Sequence, residues 1–210
     1  VAMTKESHLC HVLLSSSDGY FIEKLSNDSK LKKTSELFEV DYLPKEDIVY
    51  WLNHLEIESN IKEYVLTQSQ IEYIWEHFGG SIWEISSLLG RMVRVCRDGR
   101  VDNQDMEKIV QGYIVQARSS FEEYAGLDDA KSELLREINA SVQEKGLVKE
   151  HHLRRLLEQG HYPDRGALLE ELNNLVRQNY LYYNPALAEY KLQGKSMEIG
   201  LRRYVQEVAS

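Results

Sequence analysis

The run His8-Leu-Cys-His-Val-Leu-Leu-Ser-Ser-Ser-Asp18 decides how the rest of the chain is interpreted. Its apolar residues do not alternate with polar ones and small polar residues end it, which is typical of a strand covered on both faces of a sheet. Such a strand needs neighbouring strands and crossover helices, but only seven residues precede it. The sequence therefore predicts that these 210 residues are the C-terminal portion of a larger α/β protein.

The overall composition indicates a globular chain in a reducing compartment. The hydrophobic content is 42%, and three prolines and twelve glycines leave no room for a long disordered linker. A formal net charge of −9 argues against a broad electrostatic grip on nucleic acid or on an anionic membrane. The two cysteines, Cys10 and Cys96, do not make a disulfide framework, and the sequence shows neither a signal peptide nor a membrane-spanning run. We expect a cytoplasmic protein with no membrane partner.

The pattern from Gly19 to Gly126 predicts one more strand and then helices. A helical patch covers 19–33, a strand-like run covers 36–43, and Pro44 opens a helix with an apolar stripe. Helical spacing resumes at Thr67, Gly79-Gly80 interrupts it, and Ser81 caps a helix that runs to Cys96. A further helix extends from Asp102 to the neighbourhood of Gly126. We place a domain boundary there, which gives the domains 1–126 and 127–210.

Residues 127–210 predict three helices, a hairpin and a closing helix. Asp128 or Asp129 caps the first helix and Gly146 ends it. The second helix covers 150–159, a turn follows at 163–166, the third covers 167–178, the hairpin pairs 180–183 with 189–192, and the last helix covers 195–208. Three helices and a hairpin predict a winged-helix domain. The expected fold class is mostly α with a small α/β remnant.

Three stretches resemble the archaeal-type P-loop ATPases, a branch related to the AAA+ and STAND proteins. The run from His8 to Lys24 is similar to the strand after the Walker B strand, whose polar end serves as sensor 1. The run from Phe38 to Asp47 is similar to the following strand and the entry to the helical lid. Phe78-Gly-Gly-Ser-Ile-Trp-Glu-Ile85 resembles the lid motif of paired glycines, with Ile82 where a proline is usual. The resemblance implies a partial P-loop ATPase core and helical lid followed by a winged-helix domain.

Two motifs of that family are missing from the sequence. No G-x-x-x-x-G-K-[ST] occurs, so the backbone cradle and the lysine that hold the phosphates are absent. No apolar strand ending in paired acidic residues is present to hold Mg²⁺. We therefore expect this chain alone not to hydrolyse ATP. The resemblance implies that the full-length protein binds ATP and Mg²⁺, and that neither is tightly bound to this chain alone. It also implies that the main partner of this chain is the N-terminal P-loop core of the same protein.

The resemblance suggests three groups of nucleotide-contacting residues. Ser16, Ser17 and Asp18 would form a sensor at the carboxyl end of the first strand, where a hydroxyl can hydrogen-bond a γ-phosphate or an attacking water. The alternative is a strand exit with an aspartate that caps the next helix. Gly79 and Gly80 mark the lid, or they simply end a helix. Arg91 and Arg94 would meet phosphate, as a lid arginine does in AAA+ relatives. They belong to a repeat of arginines every three residues with Arg97 and Arg100, which could instead form a solvated helix face.

The sequence favours protein contacts over metal or DNA. In His8-x-Cys10-His11, strand alternation puts His11 on the opposite face, so no metal site is predicted. The third helix of the winged-helix domain carries Glu170 and Glu171, which repel a phosphate backbone. We expect the domain to pack against the ATPase module, a protein partner or a second copy, and DNA remains the alternative ligand. The alternative function is a free-standing winged-helix regulator or interaction adaptor that uses no nucleotide.

Overall fold

The structure is a computed structural model, and it describes residues 40–126 and 128–208 together with Lys24. This part of the chain is mostly helical, as predicted. In chain order its elements are α1 (Lys45–Asn53), α2 (Leu55–Glu58), α3 (Gln68–Phe78), α4 (Ile82–Val93), α5 (Asn103–Ala125), α6 (Asp129–Lys145), a 3₁₀ helix (Glu150–Leu153), α7 (Arg154–Glu158), α8 (Arg165–Arg177), β1 (Leu181–Asn184), β2 (Glu189–Leu192) and α9 (Lys195–Val208).

The predicted first strand lies outside the described residues, as does the helical patch at 19–33 apart from Lys24, which is helical. The second predicted strand, 36–43, is described only from Val40 onward, and this part has no regular secondary structure. The strand prediction is wrong for these residues. The backbone contact that holds them is the amide of Leu43, which donates to the carbonyl of Gly80 at 3.2 Å. An apolar run forms a strand only where a partner strand takes up its backbone hydrogen bonds.

Four helices begin at capping residues, as was predicted for Ser81 and Asp128. Thr67 and Gln70 form a capping box at α3, in which the Thr67 hydroxyl accepts from the Gln70 amide at 3.3 Å. Ser81, Asp102 and Asp128 accept from the first-turn amides of α4, α5 and α6. Each side-chain oxygen satisfies an amide that has no partner inside the helix. Local capping chemistry therefore fixes where these helices begin.

The first half of the structure packs around one apolar cluster. Helices α1 to α4 and the N-terminal half of α5 supply it, and its fully buried members are Ile48, Leu52, Ile71, Ile74, Phe78, Ile85, Leu88, Leu89, Met92, Met106 and Val110. The hydroxyl of Tyr64 donates to the buried carbonyl of Leu89 at 3.0 Å, so the loop before α3 is tied to α4. This cluster holds α4 in place, and α4 follows the paired glycines.

The second half packs around a separate cluster, built from the C-terminal end of α5, from α6 to α9 and from the hairpin. The hairpin pairs Leu181 with Leu192 and Tyr183 with Tyr190. Val148 exchanges two backbone hydrogen bonds with Tyr190, each 2.8 Å long, and so forms an isolated β-bridge, a single rung of pairing beside β2. Order and type of these elements are as predicted.

Several boundaries in the second half differ from the prediction, including the first hairpin strand, which covers Leu181–Asn184 rather than 180–183. The third helix begins at Arg165 rather than Ala167, because Asp164 caps it by accepting from the Ala167 amide at 2.9 Å. Residues 165 and 166, predicted as part of a turn, therefore lie in its first turn. The second helix is divided into the 3₁₀ helix and the short α7.

Helix α9 joins the two halves by crossing α5. A Cβ at Gly200 would lie 2.6 Å from the Cβ of Ala117 and 2.8 Å from the backbone nitrogen of Arg118, so the helices approach closely at this glycine. Farther along α9, Arg203 donates to Gln111 at 2.8 Å and Glu207 pairs with Arg118 at 2.6 Å. The N-terminal end of α9 then reaches the turn between α3 and α4.

Candidate functional site

The candidate site is the place where the predicted lid motif meets the N-terminal end of α9. Three segments form it: Tyr42–Leu43, the turn Gly79–Ser81 with Glu84 beyond it, and Gln193–Ser196. We call this set the glycine junction. It brings a predicted site, the paired glycines, against a segment of the second half that sequence patterns had not connected with it.

The two glycines of the motif have different structural roles. Gly79 ends α3 with φ +55°, a conformation that L side chains rarely adopt, and its amide donates to Trp75 at 2.8 Å. Gly80 makes a close approach instead. A Cβ there would lie 2.6 Å from the backbone nitrogen of Leu43 and closer still to its carbonyl oxygen. The first glycine thus allows the turn, and the second lets Leu43 pack against it.

Glu84 is a buried carboxylate that links α4 to α9. The spacing Ser81-x-x-Glu84 is that of a capping box, in which the glutamate would accept from the Ser81 amide. That amide instead donates to Phe78 at 3.2 Å, and Oε1 of Glu84 accepts from the hydroxyl of Ser196 in the first turn of α9. Glu84 is only 7% exposed, and its Oε2 is buried without a hydrogen-bond partner. Burial raises the pKa of Glu84, although the hydroxyls of Ser196 and Ser81 oppose the shift.

Tyr42 and Gly194 cover this carboxylate. The Tyr42 hydroxyl donates to Oε1 of Gln193 at 3.2 Å, and burial of that hydroxyl, with the nearby charge of Glu84, raises the pKa of Tyr42 to about 12. Gly194 has φ +93°, and a Cβ there would lie 2.8 Å from Oε2 of Glu84. A side chain at position 194 would therefore be strained and would also collide with the carboxylate.

The structure separates the predicted arginines from the glycine pair. Arg91 and Arg94 lie at the C-terminal end of α4 and the glycines precede its N-terminal end, which over 12 helical residues is a separation of about 18 Å along the axis. The guanidinium of Arg91 lies 4.4 Å from the ring centroid of Tyr113. Arg94 is the C-cap residue and is exposed. Cations at this end of a helix are favourable because of its partial negative charge.

The repeat of arginines along one helix is not realised. Helix α4 ends at Val93, not at Cys96, and Arg97 and Arg100 exchange backbone hydrogen bonds of 2.8 and 3.0 Å across a tight turn. Asp98 and Gly99 occupy this turn with φ +50° and +73°. The Asp-Gly pair is a strong turn signal, and it overrides the three-residue spacing of the arginines.

The remaining predicted site residues, Ser16, Ser17 and Asp18, lie outside the described residues, as do His8, Cys10 and His11. In the described ranges, 40–126 and 128–208, the structure brings together no group of three or more His, Cys, Asp or Glu side chains that could hold a metal ion. No helix in that same part of the chain combines the length and the apolar composition needed to cross a membrane.

The surface of the predicted winged-helix domain carries both signs of charge. On α8, Arg165 forms a two-pronged ion pair with Glu150, and on α7 Arg155 lies 3.5 Å from Glu137. Glu171, also on α8, accepts from the hydroxyl of Tyr124. Basic groups that are already neutralised by carboxylates are poor contacts for a phosphate backbone.

Residues 1–88 match the model of an ATPase domain predominantly from Archaea. The match includes Gly79, Gly80 and Glu84. Among relatives, the chain is 26% identical to the uncharacterized ATP-binding protein MJ1006 of Methanocaldococcus jannaschii over 189 residues, which is 88% of this chain and 44% of that protein. It is 38% identical to the uncharacterized ATP-binding protein MJ0801 of the same organism over 80 residues, which is 38% of this chain and 20% of that protein.

A third relative, the uncharacterized ATP-binding protein PYRAB09480 of Pyrococcus abyssi, is 34% identical over 80 residues, which is 38% of this chain and 21% of that protein. No solved structure gives a significant match. The chain spans between a fifth and just under half of the length of these three relatives. The matches support an archaeal ATPase family whose members are named for ATP binding.

Proposed function

We propose that this chain supplies the helical lid and a winged-helix domain of an archaeal-type P-loop ATPase, and that it couples the nucleotide state to the packing of the C-terminal half. The observation that carries the proposal is the glycine junction. Its paired glycines fall inside the residues that match the archaeal ATPase model, and Gly79 lies beside Lys195 at the start of α9, which packs into the core of the C-terminal half. A movement of this turn would therefore reach that half directly.

The winged-helix interpretation is supported by the order of elements after Gly126. A helix, a single β rung at Val148, two further helices, a two-stranded hairpin and a closing helix follow one another. The rung and the hairpin place three backbone segments side by side, with Val148 and Tyr183 both paired to Tyr190. We assign residues 127–210 to this domain.

We propose that residues outside the described ranges complete the site for ATP and Mg²⁺; the described residues supply only part of it. They contain no phosphate-binding Gly-rich loop, and they bring together no set of three potential metal ligands. We infer that the phosphate cradle belongs to the part of the full-length protein that corresponds to the remaining length of the relatives. Ser16, Ser17 and Asp18 as sensor, and Arg91 and Arg94 as lid arginines, would complete the site from this chain.

The surface beside the glycine junction supports contact with that N-terminal core. Ile82 and Trp83, the first two residues of α4, are 50% and 76% exposed. Exposed apolar residues next to a lid motif are suited to burial against another domain. We assign this surface to the N-terminal P-loop core, and the mixed charge of the winged-helix surface favours a protein partner or a second copy over DNA.

The test is ATP binding and turnover by the full-length protein, compared with a Ser16→Ala/Ser17→Ala double variant. We expect turnover to fall at least about tenfold, because a hydroxyl that contacts the γ-phosphate or the attacking water stabilises the transition state. The matched control is Ser119→Ala/Ser120→Ala on α5, outside the glycine junction, which should leave turnover unchanged. Unchanged affinity and turnover in the sensor variant would contradict the sensor role. A full-length protein that binds no ATP would contradict the proposed function and favour the nucleotide-free regulator.

A further inference from the structure

We propose that the hydrogen bond between Glu84 and Ser196 is a latch, which must open before the first turn of α4 can move relative to α9. The existence of the latch rests on the described geometry. Its use in nucleotide signalling rests on the proposed function above.

The latch joins the starts of two helices that belong to different halves of the structure. Glu84 is in the first turn of α4, directly after the paired glycines, and Ser196 is in the first turn of α9. They are 7% and 4% exposed, and the hydrogen bond joins residues 112 positions apart in the chain. A buried polar group is costly without its partner, so separating the two helices would strand the carboxylate or the hydroxyl. The bond thus links one defined position of the lid turn to one defined position of the C-terminal half.

The closed latch leaves one buried oxygen without a hydrogen bond. Oε2 of Glu84 is buried with no hydrogen-bond partner, and the backbone of Gly194 packs onto it. A contact whose role was only to stabilise the fold would be better served by apolar side chains or by a fully bonded network. Because this oxygen gains hydrogen bonds to water when the contact opens, it lowers the free energy of opening. A low free energy of opening suits a latch that opens and closes.

Burial of the latch opposes an ionised Glu84. The carboxylates of Glu84, Asp41 and Glu198 act on the neighbouring Tyr42 hydroxyl, and Glu198 pairs with Lys195 at 2.6 Å. The closed latch therefore favours the protonated carboxyl, in agreement with its raised pKa.

Three glycines border this contact, and Gly80 and Gly194 are the two at which a Cβ would be crowded. A Cβ at Gly79 would lie 3.7 Å from the Cβ of Lys195, Gly80 packs on Leu43, and Gly194 packs on Glu84. Of the three, only Gly194 contacts the latch directly, because a Cβ there would lie 2.8 Å from Oε2 of Glu84. The latch therefore depends on a glycine in the second half, beside the paired glycines of the lid motif.

The experiment is hydrogen–deuterium exchange on the present chain with Ser196→Ala and Glu84→Gln, and with Ser119→Ala and Glu76→Gln as exposed controls. Ser196→Ala removes the donor, so we expect amides at the starts of both α4 and α9 to exchange about five- to tenfold faster, with α6, α8 and the hairpin unchanged. Glu84→Gln keeps an oxygen that accepts from Ser196 and should keep the protection. Faster exchange at one helix only, or no change at either, would overturn the latch, as would equal acceleration throughout the chain.

A second measurement separates the latch from the proposed function. In the full-length protein, ATP should change the exchange of the α9 start in the wild type, and Ser196→Ala should reduce that change at least about threefold while leaving ATP affinity within about twofold. If ATP binds and Ser196→Ala responds like the wild type, the signalling role of the latch is refuted. If ATP does not bind, the proposed function is refuted, and the exchange comparison on the present chain decides the latch.

Discussion

Replacement of Gly80 by alanine should destabilise the first half of the protein, because this glycine contacts backbone rather than a flexible side chain. The added Cβ would lie 2.6 Å from the backbone nitrogen of Leu43 and nearer still to its oxygen, well inside ordinary van der Waals contact. Neither atom can turn aside, so the segment that contains Leu43 has to move away from the turn.

The size of the effect follows from what that movement breaks. Overpacking against rigid atoms costs about 1–3 kcal/mol. The hydrogen bond from the Leu43 amide to the Gly80 carbonyl, 3.2 Å long, is lost as well and contributes about 1 kcal/mol. We expect Gly80→Ala to lower the free energy of unfolding by about 2–4 kcal/mol.

The matched control is Gly90→Ala in α4, where a Cβ would meet nothing within 4 Å. There alanine should raise the free energy of unfolding by about 0.5–1 kcal/mol, because glycine is the poorer helix former. Urea denaturation followed by tryptophan fluorescence suits the comparison, since the three tryptophans, Trp51, Trp75 and Trp83, all lie in the first half. A Gly80→Ala variant as stable as the wild type, beside a stabilised Gly90→Ala variant, would refute the close approach at Leu43.

Three further substitutions test other contacts. Burial raises the pKa of Glu84, so the contribution of this carboxyl to stability is fully present below its unfolded-state pKa and is lost as the pH rises through its folded-state pKa. In urea titrations, Glu84→Gln should therefore become more stable relative to the wild type as the pH rises from acid to neutral. A difference in stability that does not change with pH would contradict the raised pKa. Thr67→Ala removes the capping box with Gln70 and should lower the free energy of unfolding by about 1 kcal/mol. Chemical denaturation measures this difference, and an unchanged free energy of unfolding would contradict the role of the cap. Tyr124→Phe leaves Glu171 without its donor and should cost about 1–2 kcal/mol by thermal or urea unfolding, whereas an unchanged midpoint would show that this hydrogen bond adds nothing.

Local sequence signals predicted most of the helical framework. Helix starts at Thr67, Ser81, Asp102 and Asp128 depend on a side-chain oxygen and an amide two or three residues away, so a short window contains both partners. The predicted helix extends to Cys96 because the helical spacing of apolar residues continues to that position, whereas α4 ends at Val93, ahead of the Asp-Gly turn at 98–99. Likewise, the apolar run that includes Val40 shows that hydrophobicity alone does not establish a partner strand.

The candidate site was only half predictable. The paired glycines identified the turn, because Gly79 and Gly80 are adjacent and break a helical pattern. The hydrogen bonds around this turn join residues that are far apart in the chain, Tyr42 with Gln193 and Ser196 with Glu84. Even the local signal misleads, since the Ser81-x-x-Glu84 spacing predicts a capping box and the folded chain directs Glu84 to α9 instead. Tertiary burial overrides the local rule at this position.

The crossing of α9 over α5 has a consequence for how the chain acquires its structure during synthesis. Helix α5 leaves the ribosome long before α9 is made, and the side of α5 that holds Ala117 and Gln111 then has no covering helix. Closure of this surface waits for a contact between segments that are distant in sequence, which is the kind of contact that forms late and slowly. Until Gly200 arrives, this side of α5 stays exposed on the nascent polypeptide, and transiently exposed surface of this kind makes an unfinished chain prone to aggregation.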